Sequence, residues 1–205
     1  MSRIFLLSPA HCSGVRARMI LQKEAQFEVA KKIKGPGIGL GELFTFLSGL
    51  YFRGKMAYAS FFADPPASCP GTLIITSCRG LLPPETRIRA ADLKRFAATD
   101  IAEDVPAYMR PFSRDVRRLA GSIGSNTEVI LLGSIATAKY LGVLQQWFGP
   151  KLMFPRDFIG RGDMSRGGLL LRRAQEGREL EYISAEGATC HGKRPPKLVP
   201  RRNSG

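Results

Sequence analysis

The stretch EVILLGSIATAKYLGVL, residues 128–144, decides the fold that the sequence predicts. Val129 to Leu132 is a short apolar run, rich in branched residues, which is typical of a buried strand. Gly133-Ser134 interrupts the run, and the apolar spacing from Ala136 to Leu144 then indicates a helix. A strand that turns on glycine into a helix is the repeating unit of an α/β sheet. We therefore predict an α/β fold with a central, mostly parallel sheet.

Small polar residues follow this strand at the point where an α/β sheet binds its ligands. In such sheets the crevice lies outside the carboxyl ends of the strands, where helix N-termini present free N–H groups. Gly133 and Ser134 occupy this point. We therefore expect them to form one wall of a functional site.

Two further segments repeat the pattern of a strand followed by a small polar loop. Ile4 to Leu7 predicts a strand that ends at Ser8-Pro9, and the loop after it carries His11. Thr72 to Thr76 predicts another strand, which runs into Ser77-Cys78-Arg79. Both loops belong to the same predicted site. The predicted helices span residues 16–33, 42–50, 54–62, 92–98 and 106–120.

The charge of the chain favours a polyanionic partner. Its 205 residues predict one domain over residues 1–187 and a basic, disordered tail over 188–205. The net charge is +14, and without the five basic residues of the tail it is still +9. A surplus of this size favours nucleic acid, DNA foremost, or a nucleotide. A proteome that is basic throughout would give the same surplus without such a partner.

Apolar runs and cysteines point to a cytoplasmic protein without a membrane partner. No apolar run approaches the ~18 residues of a membrane span, and the N-terminal patch is too short for a signal sequence. Cys12, Cys69, Cys78 and Cys190 are scattered, as reduced thiols of a cytosolic protein can be. A zinc set of Cys12 and Cys190 with their neighbouring histidines lacks the usual ligand spacing. No metal or cofactor is predicted, and the oligomeric state is left open.

Basic residues cluster in three segments of the sequence. Tyr51, Phe52, Arg53 and Lys55 form a pattern that suits base stacking and phosphate contacts, although a core helix with exposed cations has the same pattern. Arginines spaced three to four apart share one helical face that is either a phosphate grip or a solvated surface: Arg110, Arg114, Arg117 and Arg118.

The third basic segment is the stretch RDFIGRGDMSRGG, residues 156–168. Arg161 and Arg166 stand there among glycines beside Asp157 and Asp163, so we expect a flexible, exposed loop that binds an anion. Residues 169–173 and 180–184 then predict either two terminal strands or a strand–helix pair around Gly177.

Three segments resemble a group of small uncharacterised proteins related to the YaaA peroxide-stress family. SGLYFRGKMAYASFF (48–62) is similar to the "LYxSxLFRKAxxYA" segment of that group, and ITSCRGLLPPETRI (75–88) to its "LSAKYGLLxPxxxI" segment. EVILLGSIATAKYLGVL (128–144) is similar to the strand and helix that follow there. It also resembles the "LGxxAxxxLLG" stretch of the uracil-DNA glycosylase fold.

The resemblance implies a three-layer α/β sandwich like that of uracil-DNA glycosylase, with a cleft at the strand ends. It also implies DNA binding with protection from oxidative stress, or the handling of a modified nucleobase. The chain departs from the pattern at Ser77-Cys78-Arg79, where the group has Ala-Lys-Tyr. It also lacks the glycosylase motifs Gly-Gln-Asp-Pro-Tyr-His and His-Pro-Ser, which argues against standard uracil excision.

Three hypotheses about function follow. The first is a nucleic-acid-associated protein in which arginines hold phosphate, Tyr51 stacks on a base and serines read base edges. The second is an enzyme that acts on a nucleotide or a modified nucleobase, with His11 or Asp163 as the acid–base group. The third is an interaction protein without a nucleic-acid role. The site predicted for the first two comprises Ser8, His11, Ser48, Tyr51, Arg53, Lys55, Ser77, Arg79, Gly133, Ser134, Arg161 and Arg166.

Overall fold

The computed structural model describes residues 1–67, 69–135, 138–186 and 195–196. The tail predicted over 188–205 therefore lies almost wholly outside the described residues. The strands are β1 Ser2–Leu7, β2 Ile38–Gly39, β3 Thr72–Ile75, β4 Leu81–Leu82, β5 Arg87–Ile88, β6 Thr127–Leu132, β7 Leu152–Pro155 and β8 Tyr182–Ser184. The helices are α1 Val15–Leu21, α2 Glu28–Lys34, α3 Leu40–Ser48, α4 Leu50–Phe62, α5 Ala90–Ala98, α6 Pro106–Ser122, α7 Ala138–Phe148 and α8 Asp163–Glu176.

A six-stranded sheet in the order β4-β3-β1-β6-β7-β8 forms the centre of the molecule. Its four inner strands are parallel, whereas β4 and β8 pair antiparallel at the two edges. A second, antiparallel pair joins β2 to β5. The prediction of an α/β fold with a mostly parallel central sheet is therefore confirmed.

The two central strands are buried on both faces. Ile4 to Leu7 of β1 and Val129 to Leu132 of β6 have no exposed surface. Successive side chains of a strand point to opposite faces, so helices must cover both sides of the sheet. This explains why β6 is a continuous apolar run rather than an alternating one.

Two glycines bring α4 and α8 into close contact. A Cβ atom added to Gly54 would lie 2.5 Å from the carbonyl oxygen of Gly167, and one added to Gly167 would lie 2.7 Å from that of Leu50. Neither position has room for a side chain. The crossing holds the first turn of α8 beside the first half of α4.

The predicted helix over residues 16–33 is wrong, because the chain forms two helices, α1 and α2, with a break between them. Gln22, Lys23 and Glu24 contribute no buried apolar side chain that would hold a continuous helix against the core. Lys34 stabilises the break, since its ammonium donates to the carbonyl oxygens of Gln22, Lys23 and Ala25. One lysine thus satisfies three backbone acceptors that a helix would have used.

The expected flexible loop over residues 156–168 is also wrong in its second half, because α8 begins at Asp163. Gly167 and Gly168, which suggest a loop in the sequence, lie inside this helix. Gly177 ends α8 at φ +60° and the strand β8 follows it, so the alternative of two strands is wrong. Similarly, Tyr51 to Arg53 belong to α4 rather than to a break between two helices.

Within the described part of the chain, no helix combines the length and the apolar character that crossing a lipid bilayer requires.

Candidate functional site

The topology of the sheet places one crevice at the carboxyl ends of β1 and β6. In the sheet, β3 lies on one side of β1, and β6, which comes later in the chain, lies on its other side. Such a reversal of strand order opens a crevice between the two strands concerned. Ser8 is the first residue after β1, and Gly133 is the first after β6. A Cβ atom on Gly133 would lie 2.8 Å from that of Ser8, so only glycine fits there.

Lys55 reaches this crevice from α4 through the interior of the protein. Its side chain is 1% exposed, and its Nζ donates to the Ser8 hydroxyl at 2.9 Å and to the Ser8 carbonyl oxygen at 2.8 Å. The Nζ atom also lies 4.4 Å from the centre of the Tyr51 ring and 4.7 Å from that of Phe52. The lysine is therefore held by one serine and two aromatic faces.

Burial changes the ionisation of Lys55. Loss of hydration lowers its pKa from 10.5 to about 7, and the nearby Arg166 cation acts in the same direction while Asp163 opposes it. The lysine thus carries a substantial neutral fraction near neutral pH. A neutral amine can accept a proton from the hydroxyl group that it contacts.

Tyr140 of α7 closes the crevice on the side of β6. Its hydroxyl accepts a hydrogen bond from the Ser134 amide at 3.1 Å and donates one to the Ser134 carbonyl oxygen at 2.8 Å. Burial raises the pKa of Tyr140, whereas hydrogen bonds from the Ser134 backbone and the Ser8 side chain lower it. The Ser8 hydroxyl is therefore positioned by both Lys55 and Tyr140.

The first turn of α8 adds polar groups to the opposite side. Arg166 is largely buried, donates to the Phe158 carbonyl oxygen at 3.0 Å and lies 3.7 Å from Asp163. Burial raises the pKa of the Tyr51 hydroxyl, and the neighbouring Arg166 side chain opposes this shift by its charge and by a hydrogen bond. The Arg161 Nε is buried and has no hydrogen-bond partner among the described residues. Buried polar atoms seldom lack partners, and a ligand oxygen is one kind of group that supplies them.

A cavity of about 240 Å³ lies at the carboxyl ends of β1 and β3, where the loop that follows Ser8 lines it. Its lining includes the loop from Pro9 to Ser13, with Ser77, Asp100 and Lys139. The His11 ring is exposed, and its Nε2 shares a hydrogen bond with the Ser13 hydroxyl at 2.9 Å. Ligand pockets usually enclose about 300–1,000 Å³, so this one suits a base or a phosphate rather than a whole dinucleotide.

The structure brings together most, but not all, of the residues that the sequence singles out. Ser8, Tyr51, Lys55, Gly133, Ser134, Asp163 and Arg166 surround the crevice, with His11 and Ser77 at the adjoining cavity. The Tyr51 ring is 6% exposed and packs edge-on against Phe158, so it offers no open face for the base stacking expected of it.

Three predicted residues lie apart from this cluster. Arg79 forms an ion pair with Asp92 at 3.5 Å and lines a different groove. Arg53 is exposed on α4, and Ser48 is the last residue of α3. Tyr140, in contrast, was predicted only as an apolar anchor of its helix, because a single tyrosine in an amphipathic pattern carries no signal that its hydroxyl faces a crevice.

A basic groove between α6 and α7 is the second notable surface. Its volume is about 560 Å³, and its lining comprises Ser113, Arg114, Arg117, Arg118, Gly121 and Trp147. Trp147 is 40% exposed, and the Arg117 guanidinium lies 5.8 Å from its ring. Arg114 is paired with Asp115, but Arg117 and Arg118 form no ion pair with any described residue.

Cys12 and the arrangement of possible metal ligands bear on the thiol and metal alternatives. Burial raises the pKa of Cys12 to about 12, so this thiol is not prepared as a nucleophile. No three histidine, cysteine or acidic side chains cluster as a metal site among the described residues. Cys190 and His191, which the zinc alternative requires, lie outside them.

Comparisons with known proteins add no relative: the chain matches no protein-family model, no curated protein and no solved structure.

Proposed function

We propose that this protein is associated with nucleic acid, DNA foremost, and binds it through the groove between α6 and α7. The observation that carries the proposal is the combination of two unpaired arginines with an exposed tryptophan in one groove. The net charge of +14 also attracts a polyanion, and this attraction acts over longer distances than the contacts in the groove. The crevice at β1 and β6 is the place where a base or a phosphate of the ligand would be received.

The groove has the chemical parts that single-stranded nucleic acid requires. Guanidinium groups bind phosphate oxygens in pairs, and an indole face stacks on any base. Stacking on one aromatic side chain contributes about 1–3 kcal/mol per base. Trp147 and Arg117 lie next to each other on the surface, so one nucleotide can contact both.

The proposal extends to the protein family and to the detailed type of α/β fold. We propose membership of the YaaA-related group, a three-layer sandwich like that of uracil-DNA glycosylase, and a part in protecting DNA under oxidative stress. The central sheet covered on both faces and the crevice at its carboxyl edge support this assignment. An enzyme that acts on a nucleotide or modified nucleobase is the second candidate, which the contact between Lys55 and Ser8 favours.

The test is binding of labelled single-stranded DNA, duplex DNA and tRNA, measured by fluorescence anisotropy at several salt concentrations. The double variant Arg117→Ala, Arg118→Ala should weaken binding and reduce the slope of log K against log salt by about 2, one for each lost phosphate contact. Trp147→Ala should weaken single-strand binding about tenfold or more while leaving the slope unchanged.

A matched control removes two charges elsewhere. Lys94 and Arg178 are exposed and lie outside the groove, so the double variant Lys94→Ala, Arg178→Ala should bind almost as the parent does. Equal losses in the two double variants would show that charge alone drives binding and would overturn the assignment of the groove. Absence of binding by the parent would overturn the nucleic-acid proposal and leave an enzyme that acts on a nucleotide and an interaction protein as the remaining hypotheses.

A further inference from the structure

We infer that Ser8 and Lys55 form a nucleophile and base pair, with which the protein cleaves a phosphoester of a nucleotide or nucleic acid. The nucleotide as substrate rests on the proposed function above, whereas the reactivity of Ser8 does not depend on it. Nothing in the sequence pattern links these two residues, which are 47 positions apart and meet only in the folded chain.

The geometry of the pair is the first support. The Lys55 Nζ lies 2.9 Å from the Ser8 hydroxyl oxygen, within the distance over which a base takes a proton from a nucleophile. Lys55 forms no ion pair with a carboxylate of the described residues, and both of its hydrogen bonds go to Ser8. A lysine serving only as a structural cation would gain more from a buried carboxylate.

The position of the pair is the second support. Ser8 stands at the reversal point of the sheet, directly before the residues that line the cavity. Gly133 leaves space beside it, and Tyr140 positions the hydroxyl from the other side. Ser8 itself is 9% exposed, and the residues that follow it, from Pro9 to Ser13, line the cavity.

The surrounding charges suit a phosphoester better than a neutral ester. Asp163 and Arg166 of α8 both act electrostatically on Lys55, as they do on Tyr51 of α4 and Tyr140 of α7. The Arg166 cation can therefore stabilise negative charge that develops on phosphate oxygens.

The proposed reaction has two steps, and each conserves its atoms. In the first, the Ser8 oxygen attacks phosphorus, the bond to the leaving alcohol breaks, and the Ser8 proton passes through Lys55 to that alcohol. In the second, water attacks the phosphoserine, its proton passes to Lys55, and Ser8 leaves and takes the proton back. Water is the only co-reactant.

The test uses the full chain and an alkyl fluorophosphonate, whose phosphorus imitates the substrate. Attack by Ser8 forms an oxygen–phosphorus bond, releases fluoride and transfers the proton to Lys55. Mass spectrometry should find one adduct on the peptide that contains Ser8, and none in Ser8→Ala. Lys55→Met should label at least tenfold more slowly, whereas Ser60→Ala, an exposed serine of α4, should label as the parent does.

The pH profile separates a base from a merely structural lysine. Burial lowers the pKa of Lys55 to about 7, so the rate of labelling should rise as pH increases through that value. This profile needs no variant, so it still tests whether Lys55 acts as a base if Lys55→Met does not fold. Tyr140→Phe, a change at a positioning residue, should slow labelling without moving the midpoint.

Three results would overturn the inference: no adduct on the folded parent, an adduct on a residue other than Ser8, or a rate independent of pH and of Lys55. Bis(4-nitrophenyl) phosphate then tests the substrate class, since release of nitrophenol should vanish in Ser8→Ala. The groove variant Arg117→Ala, Arg118→Ala should keep full labelling. Failure of nucleic-acid binding and failure of Ser8 chemistry are therefore distinguished.

Discussion

Replacing Gly54 by alanine should destabilise the protein by forcing α4 and α8 apart. The added Cβ would lie 2.5 Å from the Gly167 carbonyl oxygen and 3.0 Å from its Cα, so the obstacle is backbone rather than a movable side chain. Carbon and oxygen normally approach to about 3.4 Å, so the helices must separate by roughly 1 Å, and overpacking of this kind costs about 1–3 kcal/mol.

The helical preference of alanine offsets part of this cost. Alanine in place of glycine within a helix contributes about 0.5–1 kcal/mol, so the net loss should be about 1–2 kcal/mol. For a chain of 205 residues this lowers Tm by about 2–8 °C, measured by circular dichroism or calorimetry. Separation of the helices should also loosen the contact between Lys55 and Ser8, because Lys55 directly follows Gly54 in the sequence.

Gly121 provides the matched control. It also lies in a helix, α6, but a Cβ atom there would meet nothing within 4 Å. Gly121→Ala should therefore raise Tm slightly, through the same helical preference. If Gly54→Ala raised Tm as Gly121→Ala does, the close crossing of α4 and α8 would be wrong.

Two further predictions concern the crevice. Tyr140→Phe removes the hydroxyl that pairs with both backbone groups of Ser134 and should lower the free energy of unfolding by about 1–3 kcal/mol. An unchanged free energy in urea unfolding would contradict this assignment. The pKa of Lys55 is about 7 in the folded chain and 10.5 as a free side chain. Between these pH values the unfolded chain therefore binds more protons than the folded chain, and a rise in pH favours folding. The free energy of unfolding of the parent, relative to that of Lys55→Met, should rise from pH 7 to 10. A difference that stayed constant or fell with pH would show that Lys55 is protonated in the fold.

Local patterns in the sequence were sufficient to predict three of the six strands of the central sheet. β1, β3 and β6 are short apolar runs that end at small polar residues, and a strand buried on both faces needs nothing more than such a run. Gly133, directly after β6, likewise led to the prediction of a site at the carboxyl edge of the sheet. These features depend on neighbouring residues only, which is why one sequence reveals them.

The helices were predicted less well where tertiary contacts overrule local preference. Gly167 and Gly168 predict a loop by composition, yet the close approach of α4 demands a residue without a side chain at Gly167. The break between α1 and α2 depends on Lys34, which reaches back to carbonyl groups up to 12 positions earlier. Neither contact leaves a periodic signal along the chain.

The sequence by itself determined the fold class, the basic character and the edge of the sheet at which we predict a site, because composition and short apolar runs encode them. Only the tertiary structure decided which residues meet there. In the sequence Lys55 is one cation of an aromatic-rich segment, either a phosphate contact or an exposed residue of a core helix. The fold buries it against Ser8 and lowers its pKa, which makes it a candidate base. The physical reason is that burial and pairing across 47 residues depend on how the helices pack on the sheet, and no local pattern specifies that packing.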